Sequence, residues 1–205
     1  MSADGAAATS AVALLAHWWS RPVEDEVSTW VAWRADAAEV ASDLAGGMAP
    51  AGLPAATSGD GPALLEEYER LFVGPAKVPC PPYESYWRDD VPIDIWHSLM
   101  GPCTAELRQL YRRLGIDVTG GQPELPDHVA VELEALAYAL TRPDGHDVAH
   151  SLLTGHLGRW LPRLCKAVAA QASHPFYRDL AVITPVWLTA IAERVVPAHS
   201  PPTTP

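Results

Sequence analysis

Residues 125–140 read LPDHVAVELEALAYAL, and this stretch decides the class of fold. Its larger apolar side chains recur at helical spacing, at Val129, Leu133, Leu136 and Leu140. Side chains three or four positions apart share one face of an α-helix, so the stretch predicts a helix with an apolar face. Arg142-Pro143 ends this helix, and Asp127 stands where a capping residue would begin it.

The same period recurs on both sides of this stretch. It predicts further helices at about Ala11 to Trp19, Val23 to Leu44, Leu64 to Phe72, Leu107 to Leu114, Asp147 to Gln171 and Phe176 to Val195. Pro162 and Pro185 fall inside the last two, where a proline removes a backbone hydrogen bond and predicts a kink. The alternation of period two that marks a half-buried strand is scarce. We therefore predict an all-α fold.

A chain of 205 residues with 48% apolar content is sufficient for one domain with a single core. We expect residues 11–196 to form that domain and residues 1–10 and 197–205 to be disordered. Residues 46–61, rich in Gly, Pro, Ala and Ser, predict a mobile linker inside it. No stretch reaches the roughly 20 apolar residues that a membrane span requires. The N-terminus also lacks the basic start of a secretory signal, so we expect a cytoplasmic protein without stable membrane insertion.

The charge balance bears on the kind of partner. Fourteen basic and 25 acidic residues give a net charge of −11. Such a surface repels nucleic acid and anionic lipids and favours a basic ligand, although it also serves simply to keep a protein soluble. Cys80, Cys103 and Cys165 show no C-x-x-C pairing, which favours a reducing compartment over a disulfide framework or a zinc knuckle.

The histidines are the best candidates for a metal site in the sequence, but their spacing supplies only two ligands on one helix face. His146 and His150 lie at i and i+4, whereas His156 is rotated by about 240° from His150 on a regular helix. No H-E-x-x-H motif or evident third ligand completes a site. A metal-dependent hydrolase on a helical scaffold, using His146, His150 and an unseen carboxylate, stays open as an alternative.

Other catalytic patterns are incomplete. Ser85 lacks a nucleophile elbow, and neither Gly46-Gly47 nor Gly120-Gly121 belongs to a phosphate-binding loop. Glu132 and Glu134 are two positions apart on a helix and so face different ways, as solvated helix charges do. We predict that the chain is not an enzyme and that it has no catalytic residues, bound cofactor or metal.

An aromatic and proline-rich element offers a different chemistry. Tyr68, Leu71 and Phe72 share a helix side that leads into Pro75–Tyr83, where four of nine residues are proline. Rings and prolines on a stiff loop form an apolar groove at low ordering cost, which suits the capture of an extended or helical peptide. The same side chains would serve equally well as core filler beneath a loop.

The run EYERLFVGPAKVPCPPYESYW, residues 67–87, resembles the signature of the TorD/DmsD/NarJ-type redox-enzyme maturation chaperones. The stretches LPDHVAVELEALAY, GHLGRWLPRL and HPFYRDLA, at residues 125–138, 155–164 and 174–181, follow in the order of that family. The resemblance covers roughly residues 64–195. Intact L-F-x-G-P and P-D-H motifs place it closer to the TorD/DmsD branch than to the NarJ branch.

The resemblance implies a single-domain helical bundle of the TorD-like type that acts as a non-enzymatic, system-specific chaperone. Such proteins bind the twin-arginine signal peptide and the apo catalytic subunit of a molybdopterin oxidoreductase, aid cofactor insertion and delay export until maturation. The implied peptide-binding residues are Tyr68, Leu71, Phe72, Pro82, Tyr83, Asp127 and His128. Asp127 would pair with a leader arginine, unless it serves only as a helix cap.

Two questions stay open at the level of sequence. The first is the kind of client, because a NarJ-like chaperone would recognise a catalytic subunit without a twin-arginine leader. The second is the oligomeric state, which is either a monomer or a dimer that exchanges a segment through a hinge such as the Gly120–Pro126 loop.

Overall fold

The computed structural model describes residues 3–23, 60–75, 77–88, 101–116 and 124–195, with isolated positions 38, 40, 42 and 54. Within these ranges the regular structure is helical, as predicted, and the β-type pairing is a single bridge between Tyr83 and His128. Apart from positions 23, 38, 40 and 42, the predicted second helix lies outside the described residues, as do the tail at 197–205 and most of the predicted linker and of the Gly120–Pro126 loop.

Eight α-helices are described, and three of them continue directly into or out of a π-helical turn. They are α1 (Ala3–Trp19), α2 (Gly61–Tyr68), α3 (Glu84–Trp87), α4 (Pro102–Arg113), α5 (Val129–Thr141), α6 (His146–Ser151), α7 (Gly158–Gln171) and α8 (Pro175–Val195). The turn π1 (Glu69–Val73) extends α2, and π2 (Leu152–Leu157) joins α6 to α7. The helices predicted around Leu64, Leu107, Val129, Asp147 and Phe176 are confirmed.

The first helix starts earlier than the sequence predicted. It begins at Ala3, so the disorder expected for residues 1–10 is corrected for Ala3–Ser10. Alanine, which fills positions 6–8, has the highest intrinsic helix propensity. The buried Ala8 also extends the face that Ala11 and Leu15 place in the core.

The core lies where α1 packs between α5 and α8, and α7 packs along α8. Trp18 contacts the ring of Phe176 edge to face, with 6.3 Å between centroids. The indole N–H of Trp19 donates to the Thr184 hydroxyl at 3.0 Å, so this buried polar group is satisfied. These contacts fix the N-terminal helix to the last helix of the chain.

Each π-helical turn is followed by a position that requires glycine. Gly74 ends π1 with φ at 50°, a left-handed conformation in which a side chain is strained. Gly158 follows π2, and a Cβ atom there would lie 2.4 Å from the carbonyl oxygen of Leu153.

In the described part of the chain, no helix combines the length and apolar character of a membrane span.

Candidate functional site

The proline-rich segment docks onto the start of α5 through its backbone. The Pro82 carbonyl accepts from the amide of Val129 at 2.9 Å, and the amide of Glu84 donates to the Asp127 carbonyl at 2.9 Å. These two bonds form the bridge between Tyr83 and His128. They bring together the two motif-bearing stretches, the P-P-Y-E-S and P-D-H segments, that the sequence resemblance relates to one site.

Three of the predicted peptide-binding residues lie in the core. Tyr68, Leu71 and Phe72 are 3%, 0% and 4% exposed. The ring of Phe72 lies 4.9 Å from that of Tyr68, 5.7 Å from that of Tyr177 and 5.9 Å from that of Trp19, measured between centroids. In this arrangement these residues support the site from below and offer little surface to a ligand.

The P-D-H residues are buried as well. Asp127 is 0% exposed, and its Oδ2 accepts from the backbone amide of Ser85 at 3.2 Å. The predicted cap of α5 is therefore wrong by one residue, because His128 is the N-cap and its Nδ1 accepts from the amide of Ala130 at 3.2 Å. Asp127 accepts instead from the backbone amide of Ser85 on α3, a contact that the sequence alone does not predict.

Burial also sets the protonation of these two side chains. It lowers the pKa of His128 to about 4, because the charged imidazolium is poorly solvated there. Burial raises the pKa of Asp127, and the hydrogen bond from Ser85 opposes that rise. Neither side chain is placed to meet a solvent-exposed guanidinium directly.

The accessible edge of the site is aromatic and acidic. Pro82 is buried, whereas Tyr83 is half-buried, and its hydroxyl lies 3.5 Å from Oε2 of Glu124. Burial raises the pKa of Tyr68, and the charges of Glu124, Tyr83 and Glu69 add smaller contributions in the same direction. We call Glu69 and Glu124 the acidic rim. Arg21 binds Glu69, with 2.7 Å between Nε and Oε1.

A buried charge cluster, Glu84, Arg88, Glu132 and His156, lies beneath α3. Nη1 of Arg88 is 2.6 Å from Oε1 of Glu84, and Nδ1 of His156 is 2.8 Å from Oε2 of Glu84. Glu132 is fully buried and accepts from the indole N–H of Trp160 at 3.4 Å. Burial raises the pKa of Glu132 well above its usual value, and the negative charges of Glu84 and Asp127 add to that rise.

The sequence interpretation of Glu132 as a solvated helix charge is wrong. A signal was present, because Glu132 stands three residues after Val129 and four before Leu136, on the apolar side of its helix. The pairing of Glu84 with His156 gave no comparable signal, since these residues are 72 positions apart in the sequence. The histidine pair that the sequence offered as metal ligands is not part of this cluster. His146 is exposed and His150 is half-buried. Among the described residues, the group of possible metal ligands that lie close together is Glu84, Glu132 and His156.

Comparison with known proteins identifies the family. The profile of the nitrate reductase delta subunit family matches residues 33–166, well over half of the chain. The chain belongs to this family. The resemblance seen in residues 67–87 and 125–138 is thereby confirmed.

Two groups of curated relatives resemble the chain. The Tat proofreading chaperone DmsD of Salmonella typhi is 36% identical over 118 residues, covering 58% of this chain and 55% of the relative. The chaperone protein TorD of Shewanella pealeana is 31% identical over 136 residues, covering 64% and 61% respectively. The matched segment thus spans a little over half the length of these relatives.

A solved structure supports the fold. A chain from Archaeoglobus fulgidus, described provisionally as a redox enzyme maturation protein, superposes with a TM-score of 0.56 over 92% of this chain and 93% of its own. At 20% identity the likeness shows the architecture alone, and the all-α helical bundle is thereby confirmed.

Proposed function

We propose that this protein is a cytoplasmic chaperone that binds the twin-arginine leader and the apo catalytic subunit of a molybdenum oxidoreductase. It acts without catalysis, aids cofactor insertion and delays export until the subunit is mature. The observation that carries the proposal is the docking of the Pro82–Ser85 segment onto Asp127–Val129, because it assembles into one place the motifs on which the sequence resemblance to redox-enzyme maturation chaperones rests. Relatives of the chain are named Tat proofreading chaperones, which agrees with this proposal.

The burial of Asp127 suggests that some residues of this site support it from within the core and that others contact the peptide. Tyr68, Leu71, Phe72, Pro82, Asp127 and His128 form the buried support, and Tyr83 presents a partly exposed ring above it. The acidic rim, not Asp127, would then receive the arginine pair. Carboxylates at a partly exposed edge bind a guanidinium with two parallel hydrogen bonds and without the desolvation penalty of a fully buried pair.

The ion pair of Arg21 with Glu69 shows that one rim carboxylate already accepts a guanidinium. Its side chains are 56% and 38% exposed, so the pair contributes only about 0–1 kcal/mol. A leader arginine can therefore displace Arg21 at little cost. The net charge of −11 adds a long-range attraction for a basic leader that weakens as salt is raised.

Isothermal titration of a synthetic leader peptide tests this proposal. We expect the wild-type protein to bind the native leader, and Glu124→Gln to weaken binding by about 5- to 150-fold, equivalent to the 1–3 kcal/mol of a charge-assisted hydrogen bond. Glu193→Gln removes an exposed carboxylate from the end of α8 and serves as the matched control. It should bind as the wild type does.

A peptide with both arginines changed to lysine separates two kinds of client. Weaker binding of this peptide supports recognition of the arginine pair. Equal binding of both peptides would contradict it and favour recognition of an N-terminal segment without the pair, as in a NarJ-like chaperone. No measurable binding of either peptide would overturn the leader-binding role.

A further inference from the structure

Three possible metal ligands converge inside the buried charge cluster. One ligand atom each from Glu84, Glu132 and His156 lies within 4.8 Å of the other two. The residues come from α3, α5 and π2, and all three are buried. Two carboxylates and an imidazole form a donor set that suits first-row divalent cations.

Protein hydrogen bonds hold both carboxylates of the cluster, Glu84 through both oxygens and Glu132 through one. Oε1 of Glu84 is bound by Arg88 at 2.6 Å, and Oε2 of Glu132 accepts from Trp160 at 3.4 Å. The other oxygen of Glu132, Oε1, is buried without a hydrogen-bond partner among the described residues. Metal ligands are commonly held in this way by outer hydrogen bonds, which orient the free oxygen toward the ion.

The buried acidic groups of this region outnumber its buried guanidinium. Glu84, Asp127 and Glu132 are fully buried carboxyl groups, and Arg88 lies beside them. A divalent ion bound to Glu84 and Glu132 would favour their charged forms, because a carboxyl group binds a metal as the carboxylate.

The cluster borders an open cleft at His156. Arg88 and His156 line this cleft, which has a volume of about 660 Å³ and lies between α4 and the α6–π2–α7 segment, whereas Glu84 and Glu132 are fully buried behind its lining. The cleft would supply the water that completes a tetrahedral or octahedral coordination sphere.

We propose that Glu84, Glu132 and His156 form a site for a divalent first-row transition metal ion. The ion ties α3, which follows directly on Tyr83, to α5 and to the π-helical turn that carries His156. Metal occupancy would thus stiffen the support of the predicted peptide site. The inference does not depend on leader binding, since it concerns residues outside the acidic rim.

The test uses the full-length protein, stripped with EDTA and titrated with Zn²⁺ and Mn²⁺ by calorimetry at pH 7.5. We expect one ion per chain, and the visible absorption of bound Co²⁺ should report its coordination geometry. Glu132→Gln keeps the shape of the side chain and an acceptor for Trp160 but removes a ligand charge. It should weaken binding by about 100-fold and abolish the rise in Tm that the ion gives the wild type.

Two variants distinguish this site from surface histidines. His156→Gln should weaken binding as Glu132→Gln does, whereas His150→Gln, which alters the same cleft outside the cluster, should bind like the wild type. Melting curves in EDTA establish that each variant is folded. The proposal is overturned if the wild type binds no stoichiometric ion at micromolar concentration, if Glu132→Gln binds equally well, or if only His150→Gln reduces binding.

Discussion

Truncation of Phe72 to alanine tests whether this residue is part of the core. Its ring is 4% exposed and lies within 6 Å, centroid to centroid, of the rings of Tyr68, Tyr177 and Trp19. Removal of a buried phenylalanine side chain destabilises a protein by about 3–5 kcal/mol, through lost transfer free energy and the cavity that is left. Because this cluster joins three helices, we expect a value in the upper half of that range.

Urea unfolding followed by circular dichroism measures this change. Phe72→Leu keeps most of the apolar volume and should cost less than about 1.5 kcal/mol beyond the lost ring contacts. Val73→Ala, at the neighbouring position, is the matched control, since Val73 is 49% exposed and its truncation should stay within about 0.5 kcal/mol. The reasoning is refuted if Phe72→Ala unfolds within 1 kcal/mol of the wild type and instead weakens leader binding.

Two further predictions concern the supports of the site. Since the pKa of His128 falls from its usual 6.5 to about 4 on folding, the unfolded chain binds the extra proton, and the contribution of His128 to stability should decline by about 3 kcal/mol between pH 6.5 and 4. His128→Asn keeps an N-cap acceptor and removes this contribution. The difference in the free energy of unfolding between wild type and variant should therefore change with pH across this window, and parallel urea-unfolding curves would refute the assignment. Gly158→Ala should lower the free energy of unfolding by about 1–3 kcal/mol, because its Cβ meets the Leu153 carbonyl at 2.4 Å. Gly155→Ala has open space within 4 Å and should be neutral or stabilising, so equal losses in both variants would contradict the steric argument.

The helices could be predicted because their determinants are local. The stripe of Val129, Leu133 and Leu136 and the stop at Arg142 specify α5 within its own sequence, and the structure places it at Val129–Thr141. The identity of its cap could not be obtained in the same way. Asp127 and His128 both have suitable side chains, and the choice depends on the amide of Ser85, which arrives from another part of the chain.

The site was less predictable because its determinants are distant in sequence. Tyr68, Leu71 and Phe72 share a helix face, but only the packing of Trp19 and Tyr177 over that face shows that it is buried. The two segments that the family resemblance assigns to the site are observed to dock onto each other, whereas their contact with a peptide stays a prediction. The pairing of Glu84 with His156 is a tertiary contact for which the sequence carries no periodic signal.

Affinity purification of the tagged protein from its native host tests the central claim most directly. Bound partners are identified by mass spectrometry, with the leader peptide and the molybdenum content of the partner measured in the same sample. We predict recovery of an oxidoreductase catalytic subunit that keeps its twin-arginine leader and is poor in molybdenum, and its loss when the leader arginines are changed to lysine in the host. Recovery of no redox-enzyme subunit, or only of mature, leader-free and metal-loaded enzyme, would contradict the account.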